Sequence, residues 1–147
     1  MFKIILIFFI ILNSFQDLLA EEYFLTLRND KVNLRQGPSF EYPVKLIYKK
    51  KYLPVIIKDK FDNFRKIRDH ENNTGWVHIS QLSKKKAALI LDDEQLIFSK
   101  PSIYSKPSAI LKKGRLCIIK KCNPNWCKVY VENFKGWVKK ESLWGLL

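Results

Sequence analysis

Short runs of alternating apolar and polar residues, separated by turn-forming residues, fill the chain from residue 21 onward. Residues 32–35 alternate in this way, and the β-branched and apolar residues at 52–58 are typical of a strand. Asp, Asn, Gly and Pro residues interrupt the pattern every few positions. We find no long stretch with the period of an amphipathic helix. The pattern predicts an all-β fold of many short strands, a barrel or a sandwich.

The chain contains this pattern twice. The triplet Gly75-Trp76-Val77 ends the first run of strands, and Gly136-Trp137-Val138 ends the second. Ahead of the triplets, residues 47–56 align with residues 110–119 without a gap. A repeat of roughly 60 residues is too long for a solenoid unit and suits one very small domain. The duplication therefore predicts two tandem small β-barrels.

The repeat also predicts the domain boundaries. We expect the first barrel to span residues 21–91, with the apolar run at 87–91 closing it, and the second to span residues 92–147. Residues 1–20 contain a lysine, a continuous apolar run and a final small residue, which is the layout of a secretory signal peptide. The apolar run is shorter than the ~20 residues of a membrane span. A leader cleaved after Ala20 is therefore favoured over a retained membrane anchor.

The two triplets supply candidate structural residues. Trp76 and Trp137 are predicted to fill the two cores, because one indole occupies much of a very small barrel. Gly75 and Gly136 indicate a bulge or a close approach of another strand. Trp126, whose counterpart in the first repeat is also aromatic, is interpreted as a further core residue.

The net charge of +13 changes the range of plausible partners. All of it lies beyond residue 20, because Lys3 and Asp17 cancel, and the lysines occur as pairs and triplets such as residues 49–51 and 84–86. Such a charge belongs either to an ordinary solvated surface or to a surface that attracts polyanions. For an exported protein, these polyanions are cell-wall carboxylates, lipid phosphates or acidic polymers. The leader, and not the charge, argues against nucleic acid as a partner.

Three cysteines lie in the second half. Cys122 and Cys127 flank a strong turn sequence, so their sulfurs can face each other across a hairpin, and an exported chain meets oxidants that close such a bond. Cys117 is left over and is interpreted as a buried, small apolar residue. Because His70 and His78 lie in the other repeat, we predict neither a metal site nor a Cys nucleophile with a His base. No cofactor and no enzyme activity are predicted.

Two stretches resemble a known family. Residues 32–39, which read Val-Asn-Leu-Arg-Gln-Gly-Pro-Ser, followed by the first Gly-Trp-Val triplet, resemble the bacterial SH3-like (SH3b) domain. The second half, with Trp126-Cys127 and the second triplet, resembles the second copy in exported two-domain SH3-like proteins of proteobacteria. The resemblance implies a non-enzymatic binding module of the periplasm or cell envelope that holds peptidoglycan peptides or an envelope protein. The alternative is a scaffold or inhibitory subunit that grips another protein and has no cell-wall affinity.

Loop aromatics beside proline form the candidate ligand site. Tyr42, Tyr48 and Tyr104 are expected to line a shallow groove for an extended peptide, with neighbouring lysines supplying charge. Arg35 either contacts an acidic group of the peptide or pairs with a nearby carboxylate. Gly37, which permits positive φ, and the proline after it predict the sharp turn that opens the first loop.

Overall fold

The computed structural model describes residues 21–147, and the predicted leader at residues 1–20 lies outside the described residues. The described chain is built of strands with two short 3₁₀ turns, Ile79–Gln81 and Lys140–Ser142. In the first half the strands are β1 (Tyr23–Leu27), β2 (Val32–Arg35), β3 (Val44–Tyr48), β4 (Pro54–Phe61), β5 (Phe64–Arg68), β6 (Thr74–His78) and β7 (Leu82–Ser83). They continue as β8 (Ala87–Ile90), β9 (Glu94–Phe98), β10 (Pro107–Lys112), β11 (Leu116–Cys122), β12 (Trp126–Val131), β13 (Phe134–Lys139) and β14 (Leu143–Trp144).

The two halves form two sheets of the same design. The first has seven strands in the order β3-β2-β6-β5-β4-β1-β7, and the second has seven in the order β10-β9-β13-β12-β11-β8-β14. Counted from the start of each half, the two orders are identical. Each sheet ends at two edge strands that do not pair with each other within residues 21–147, so each barrel is open along one seam. The predicted all-β fold and its internal duplication are confirmed. Within the same residues, no helix has the length and apolar composition of a membrane span.

The strand at the boundary belongs to the second sheet. The prediction that residues 87–91 close the first barrel is wrong, because β8 pairs with β11 and β14. The first sheet is completed instead by β7, which pairs with β1. All four residues of β8 are buried, with Leu89 in the first core and Ala88 and Ile90 in the second. Since neighbouring side chains of a strand point to opposite faces, β8 contributes to both cores, and its apolar run does not reveal its sheet.

The two cores consist mainly of aliphatic side chains. Val77 and Val138, the last residues of the two triplets, are fully buried. Trp76 and Trp137 are only half-buried and belong to neither core, so the prediction that each indole fills a barrel is wrong. The physical reason is the two-residue period of a strand, which turns the indole outward when the following valine points inward. Trp126 is likewise half-buried and outside the second core.

The glycine of each triplet lies where a neighbouring strand passes very close. A Cβ atom on Gly75 would lie 2.7 Å from the carbonyl oxygen of Arg35 on β2. A Cβ atom on Gly136 would lie at the same distance from the carbonyl oxygen of Phe98 on β9. Any larger residue at these positions must push the two strands apart.

The cysteines of the second half take two different states. Cys122 and Cys127 face each other across β11 and β12 and form a disulfide, which confirms the predicted pairing. The closed loop is short, with a sequence separation of 5, so loop-closure entropy assigns this bond about 2 kcal/mol of stabilisation. Cys117 is free and fully buried, and burial raises the pKa of its thiol to about 12.

Trp144 of β14 connects the two halves. Its ring lies edge-to-face against Phe24 of β1, with ring centroids 5.0 Å apart, and it packs against the first core. Leu116 of β11 packs against the same core, and Lys50 Nζ donates to the carbonyl oxygen of Gly114 at 3.2 Å. The two sheets therefore share an apolar interface.

Replacing Trp144 by alanine tests this interface. We expect Trp144→Ala to lower the free energy of unfolding by about 2 kcal/mol, since a half-buried indole contributes roughly half of what full burial gives. Tyr104→Ala is the control, because that ring is 93% exposed and lies in a loop away from the junction, so its removal should change the free energy of unfolding little. Denaturant unfolding followed by circular dichroism measures both. Equal destabilisation by the two substitutions would contradict a special role for Trp144.

Candidate binding surface

One face of the first sheet carries an indole between two cations. Trp76 on β6 is paired in register with Arg35 on β2 and with Lys66 on β5. Directly paired residues share a face of a sheet, so the two cations flank the half-buried indole. We call the surface formed by Arg35, Lys45, Lys66, Trp76 and the loop at residues 36–43 the first outer face.

Arg35 fastens the loop of this face. Its Nη1 donates to the carbonyl oxygens of Phe40 at 3.1 Å and Tyr42 at 2.9 Å, and its guanidinium carbon lies 5.4 Å from the centre of the Phe40 ring. The backbone N–H of Gln36 donates to the carbonyl oxygen of Pro43 at 3.1 Å and closes the loop. Arg35 therefore positions the loop, and within residues 21–147 it does not pair with a carboxylate. Its direct contact with a ligand stays a prediction.

Two aromatic side chains of the loop are presented to solvent on fixed supports. Tyr42 is 48% exposed, and its ring packs on Gly37, where a Cβ atom would lie only 2.5 Å from the ring. Phe40 is 63% exposed, yet its centroid lies 5.2 Å from that of Phe64 and 5.0 Å from that of His78. A fixed support reduces the conformational entropy that an exposed side chain loses on binding. The loop therefore presents two aromatic side chains that have little conformational freedom to lose.

Tyr48 does not belong to this surface. It is 7% exposed, and its hydroxyl donates to Oδ2 of Asp69 at 2.9 Å. Asp69 is 2% exposed and also accepts from Asn73 Nδ2 and from the backbone N–H groups of Glu71 and Asn73. Burial, together with the hydrogen bond to Asp69, raises the pKa of Tyr48 well above its usual value. The prediction that Tyr48 contacts a ligand is wrong, because the last residue of β3 points into the core.

A cleft of about 420 Å³ lies beside Trp76. Lys45 is held at its edge, where Nζ donates to the carbonyl oxygen of Thr74 at 2.8 Å. Among the described residues, its lining includes two lysines and no carboxylate: Gln36, Lys45, Lys66, Thr74, Gly75 and Trp76. A cleft of this kind can hold an extended chain that carries a carboxylate, through cations on the charge and the indole on the aliphatic part.

The second domain has a loop of the same backbone design at residues 99–106. Its closing hydrogen bond runs from the N–H of Ser99 to the carbonyl oxygen of Lys106 at 2.9 Å. A second bond, from the N–H of Ser105 to the carbonyl oxygen of Ser102, corresponds to the bond from Tyr42 to Ser39 in the first loop. The side chains differ, because Ser105 occupies the place of Tyr42 and fastens the loop through its hydroxyl.

Tyr104 lies in this second loop and is 93% exposed. It belongs to the other sheet, so the structure does not bring it together with Tyr42. On the second sheet, Phe98 takes the position of Arg35, paired with Trp137, and packs edge-to-face on Trp126 with centroids 5.8 Å apart. The second domain therefore presents aromatic side chains but no arginine-fastened loop.

The sequence does not predict three residues of the first outer face: Lys45, Lys66 and Phe40. A signal for Lys66 exists in the chain: the polar turn at residues 69–73 sets the register of β5 and β6 and so places Lys66 beside Trp76. The contact from Lys45 to β6 is not local, and no pattern along the chain reveals it. The aromatic support of Phe40 also joins distant strands.

Few side chains in the described part of the chain are arranged as a catalytic or metal-binding site would require. Within residues 21–147, no three His, Cys, Asp or Glu side chains cluster as metal ligands would. One His–hydroxyl contact is present, between His78 Nδ1 and Ser80 Oγ at 2.7 Å. The same His78 nitrogen accepts from the backbone N–H of Ser80, which caps the 3₁₀ turn that follows. This contact therefore has a structural role at the start of the turn.

Comparisons with known proteins agree with the duplication. The sequence pattern of the family described as "Bacterial SH3 domain" matches residues 28–84 and again residues 92–145. No match is found among curated proteins. Similar solved structures are NlpC2 and NlpC1 from Trichomonas vaginalis, each at 14% identity, and an NlpC/P60 family protein from Bacillus cereus at 12%. The TM-score is 0.38 in all three.

The chain spans about half the length of each of these three proteins. The aligned region covers 84%, 84% and 82% of this chain for NlpC2, NlpC1 and the Bacillus cereus protein, respectively. It covers 48%, 45% and 55% of those proteins in the same order.

The pair of Tyr48 and Asp69 generates a prediction about alkaline pH. Because the folded pKa of Tyr48 lies above the usual value of about 10, the resulting stabilisation is fully present below about pH 10 and is lost as the pH rises further. The free energy of unfolding should fall by up to about 1.4 kcal/mol per pH unit from this group. Tyr48→Phe should remove that part of the slope, whereas Tyr104→Phe should leave it unchanged. Urea unfolding across the alkaline range measures it, and identical slopes in both variants would contradict the assignment.

Proposed function

We propose that this chain, which belongs to the bacterial SH3 domain family, is an exported, non-enzymatic protein that binds cell-wall peptides through the first outer face. The observation that carries the proposal is the half-buried Trp76 between Arg35 and Lys66, beside an open cleft whose lining, within residues 21–147, contains lysines and no carboxylate. Modules of this family typically bind the cell wall. The cleft and the loop support the first outer face as the surface for that role.

The chemistry of wall peptides suits this surface. Such peptides are short, extended and rich in free carboxylates and small aliphatic side chains. The cations at residues 35, 45 and 66 attract the carboxylates, and the indole and the rings of Phe40 and Tyr42 offer apolar contact. Because the loop is already fastened by Arg35, little ordering is needed when the peptide binds.

Two features support export. Residues 1–20 have the layout of a secretory signal peptide. The structure contains a Cys122–Cys127 disulfide. Disulfides in general form and persist in oxidising compartments and are rare in the cytosol. Both features support a location in the periplasm or cell envelope, where wall peptides are accessible.

Retention on purified peptidoglycan sacculi tests the proposal. The protein, purified after expression of the full-length sequence, should be retained at low salt and released as salt rises, because exposed charges are screened. Lys45→Gln/Lys66→Gln should weaken retention about tenfold, given the usual strength of exposed ion pairs. The matched control Lys49→Gln/Lys60→Gln removes the same charge from residues outside the face and should change little.

Three results would count against the proposal. If the protein is not retained on sacculi at low salt, cell-wall peptides are not its ligand. Equal losses in the two double variants would mean unspecific attraction by net charge. Capture of an envelope protein by cross-linking, without any binding to sacculi, would favour the scaffold or inhibitory subunit.

A further inference from the structure

A second groove lies at the junction of the two sheets. We call it the junction groove; it has a volume of about 410 Å³ and is lined by β1 residues 23–26, linker residues 84–87 and the C-terminal residues 145–147. A neighbouring cleft of about 520 Å³ shares Tyr23, Leu25 and Lys84 with it. The lining residues of both include none of the residues of the first outer face. The junction groove is therefore separate from the surface proposed above.

The linker that carries three lysines is fastened to both sheets. The hydroxyl of Thr26, which is 2% exposed, donates to the carbonyl oxygens of Ser83 at 3.3 Å and Lys85 at 2.7 Å. On the other side, the N–H of Ile119 donates to the carbonyl oxygen of Lys86 at 3.0 Å. The backbone of the linker is thus held in place, while Lys84, Lys85 and Lys86 are exposed.

Cationic side chains line the groove and its neighbouring cleft. In the part of the chain that the structure describes, their lining contains five cations, Arg28, Arg65 and Lys84–Lys86, and no Asp or Glu. Among residues 21–147, none of these five forms an ion pair with a carboxylate. The two arginines are anchored by their own donors, Arg28 Nε to the carbonyl oxygen of Leu82 and Arg65 Nη1 to that of Phe64. Apolar side chains lie between the charges: Tyr23, Leu25, Ile79, Leu82, Leu146 and Leu147.

Part of the edge of β1 is open beside these lysines. β7 pairs only with Thr26 and Leu27. The N–H and C=O groups of Leu27 bond to Leu53 and Tyr52 on the β4 side. Backbone groups alternate in direction along a strand, so those of Phe24 point to the opposite side, beyond the end of β7. Within residues 21–147, no backbone hydrogen bond is made to Phe24 on that side.

We propose that the junction groove binds an extended acidic and apolar peptide segment of a partner protein, which adds to the open edge of β1. The peptide backbone pairs with the N–H and C=O of Phe24, as in other cases of strand addition. Its acidic side chains meet Lys84–Lys86, and its apolar side chains contact Tyr23 and Leu25. A lipid headgroup or a polyphosphate can use the lysines, but neither offers a backbone that completes the strand edge.

Binding of synthetic peptides tests the proposal with the protein purified from the full-length sequence. The probe is a fluorescent octapeptide in which Glu and Val alternate, and the comparison peptide replaces each Glu by Gln. Fluorescence anisotropy should show that the Glu peptide binds at least about tenfold more tightly. Hydrogen exchange should show protection of the Phe24 amide when the Glu peptide is present.

Two triple variants locate the site. Lys84→Gln/Lys85→Gln/Lys86→Gln should weaken binding of the Glu peptide at least about tenfold. Lys49→Gln/Lys100→Gln/Lys113→Gln removes the same charge from exposed positions elsewhere and should change binding less than about threefold. Both variants change only exposed side chains, so both should fold.

Several outcomes would overturn the proposal. Equal losses in the two triple variants mean general charge attraction. Equal binding of the Gln peptide means that the lysines do not select the ligand, and an unprotected Phe24 amide in the saturated complex excludes strand addition. If vesicles with anionic lipids bind with the same dependence on Lys84–Lys86 while the Glu peptide does not, the occupant is a membrane surface. Retention on sacculi does not enter this test, so the two proposals can fail separately.

Discussion

The close approach of β2 to β6 at Gly75 constrains which side chains of β6 point into the core and which point outward. A Cβ atom at this position would lie 2.7 Å from the carbonyl oxygen of Arg35, so only glycine fits there. Gly75 lies on the same inward side of β6 as Val77. The two-residue period of the strand then sends Trp76 outward and Val77 into the core. Gly136 repeats this arrangement against Phe98. The Gly-Trp-Val triplet is thus a structural unit that presents an indole on the surface of each domain.

The two domains use this shared unit differently. In the first, the residue opposite the indole is Arg35, which fastens an aromatic loop and leaves a cleft lined by lysines. In the second, the residue opposite the indole is Phe98, and a serine hydroxyl fastens the equivalent loop. The duplicated fold has kept its backbone while its surface chemistry diverged. Trp144 and the shared strand β8 then hold the two domains against each other, and this contact creates the junction groove.

The sequence predicts most of the strands, because alternation and turn residues are local signals. It also predicts the Cys122–Cys127 pair, since both residues flank one turn. It fails where the answer depends on distant partners. Tyr48 looks like a loop aromatic until Asp69 is placed beside it, and the apolar β8 looks the same whichever sheet it joins. The size of an indole suggests burial, and the sequence therefore predicts that both indoles lie in the cores. The direction of Trp76 depends instead on how closely β2 approaches β6 at the preceding glycine.

The most direct measurement of the central claim is a titration of the protein with a soluble wall peptide, followed in proton–nitrogen correlation spectra. The account predicts a saturable shift of the indole N–H signal of Trp76 and of amides in the loop at residues 36–43. It predicts no comparable shift for the indole of Trp137, which lacks the arginine-fastened loop. Saturable binding with an unmoved Trp76 signal, or with equal shifts of both indoles, would contradict the account.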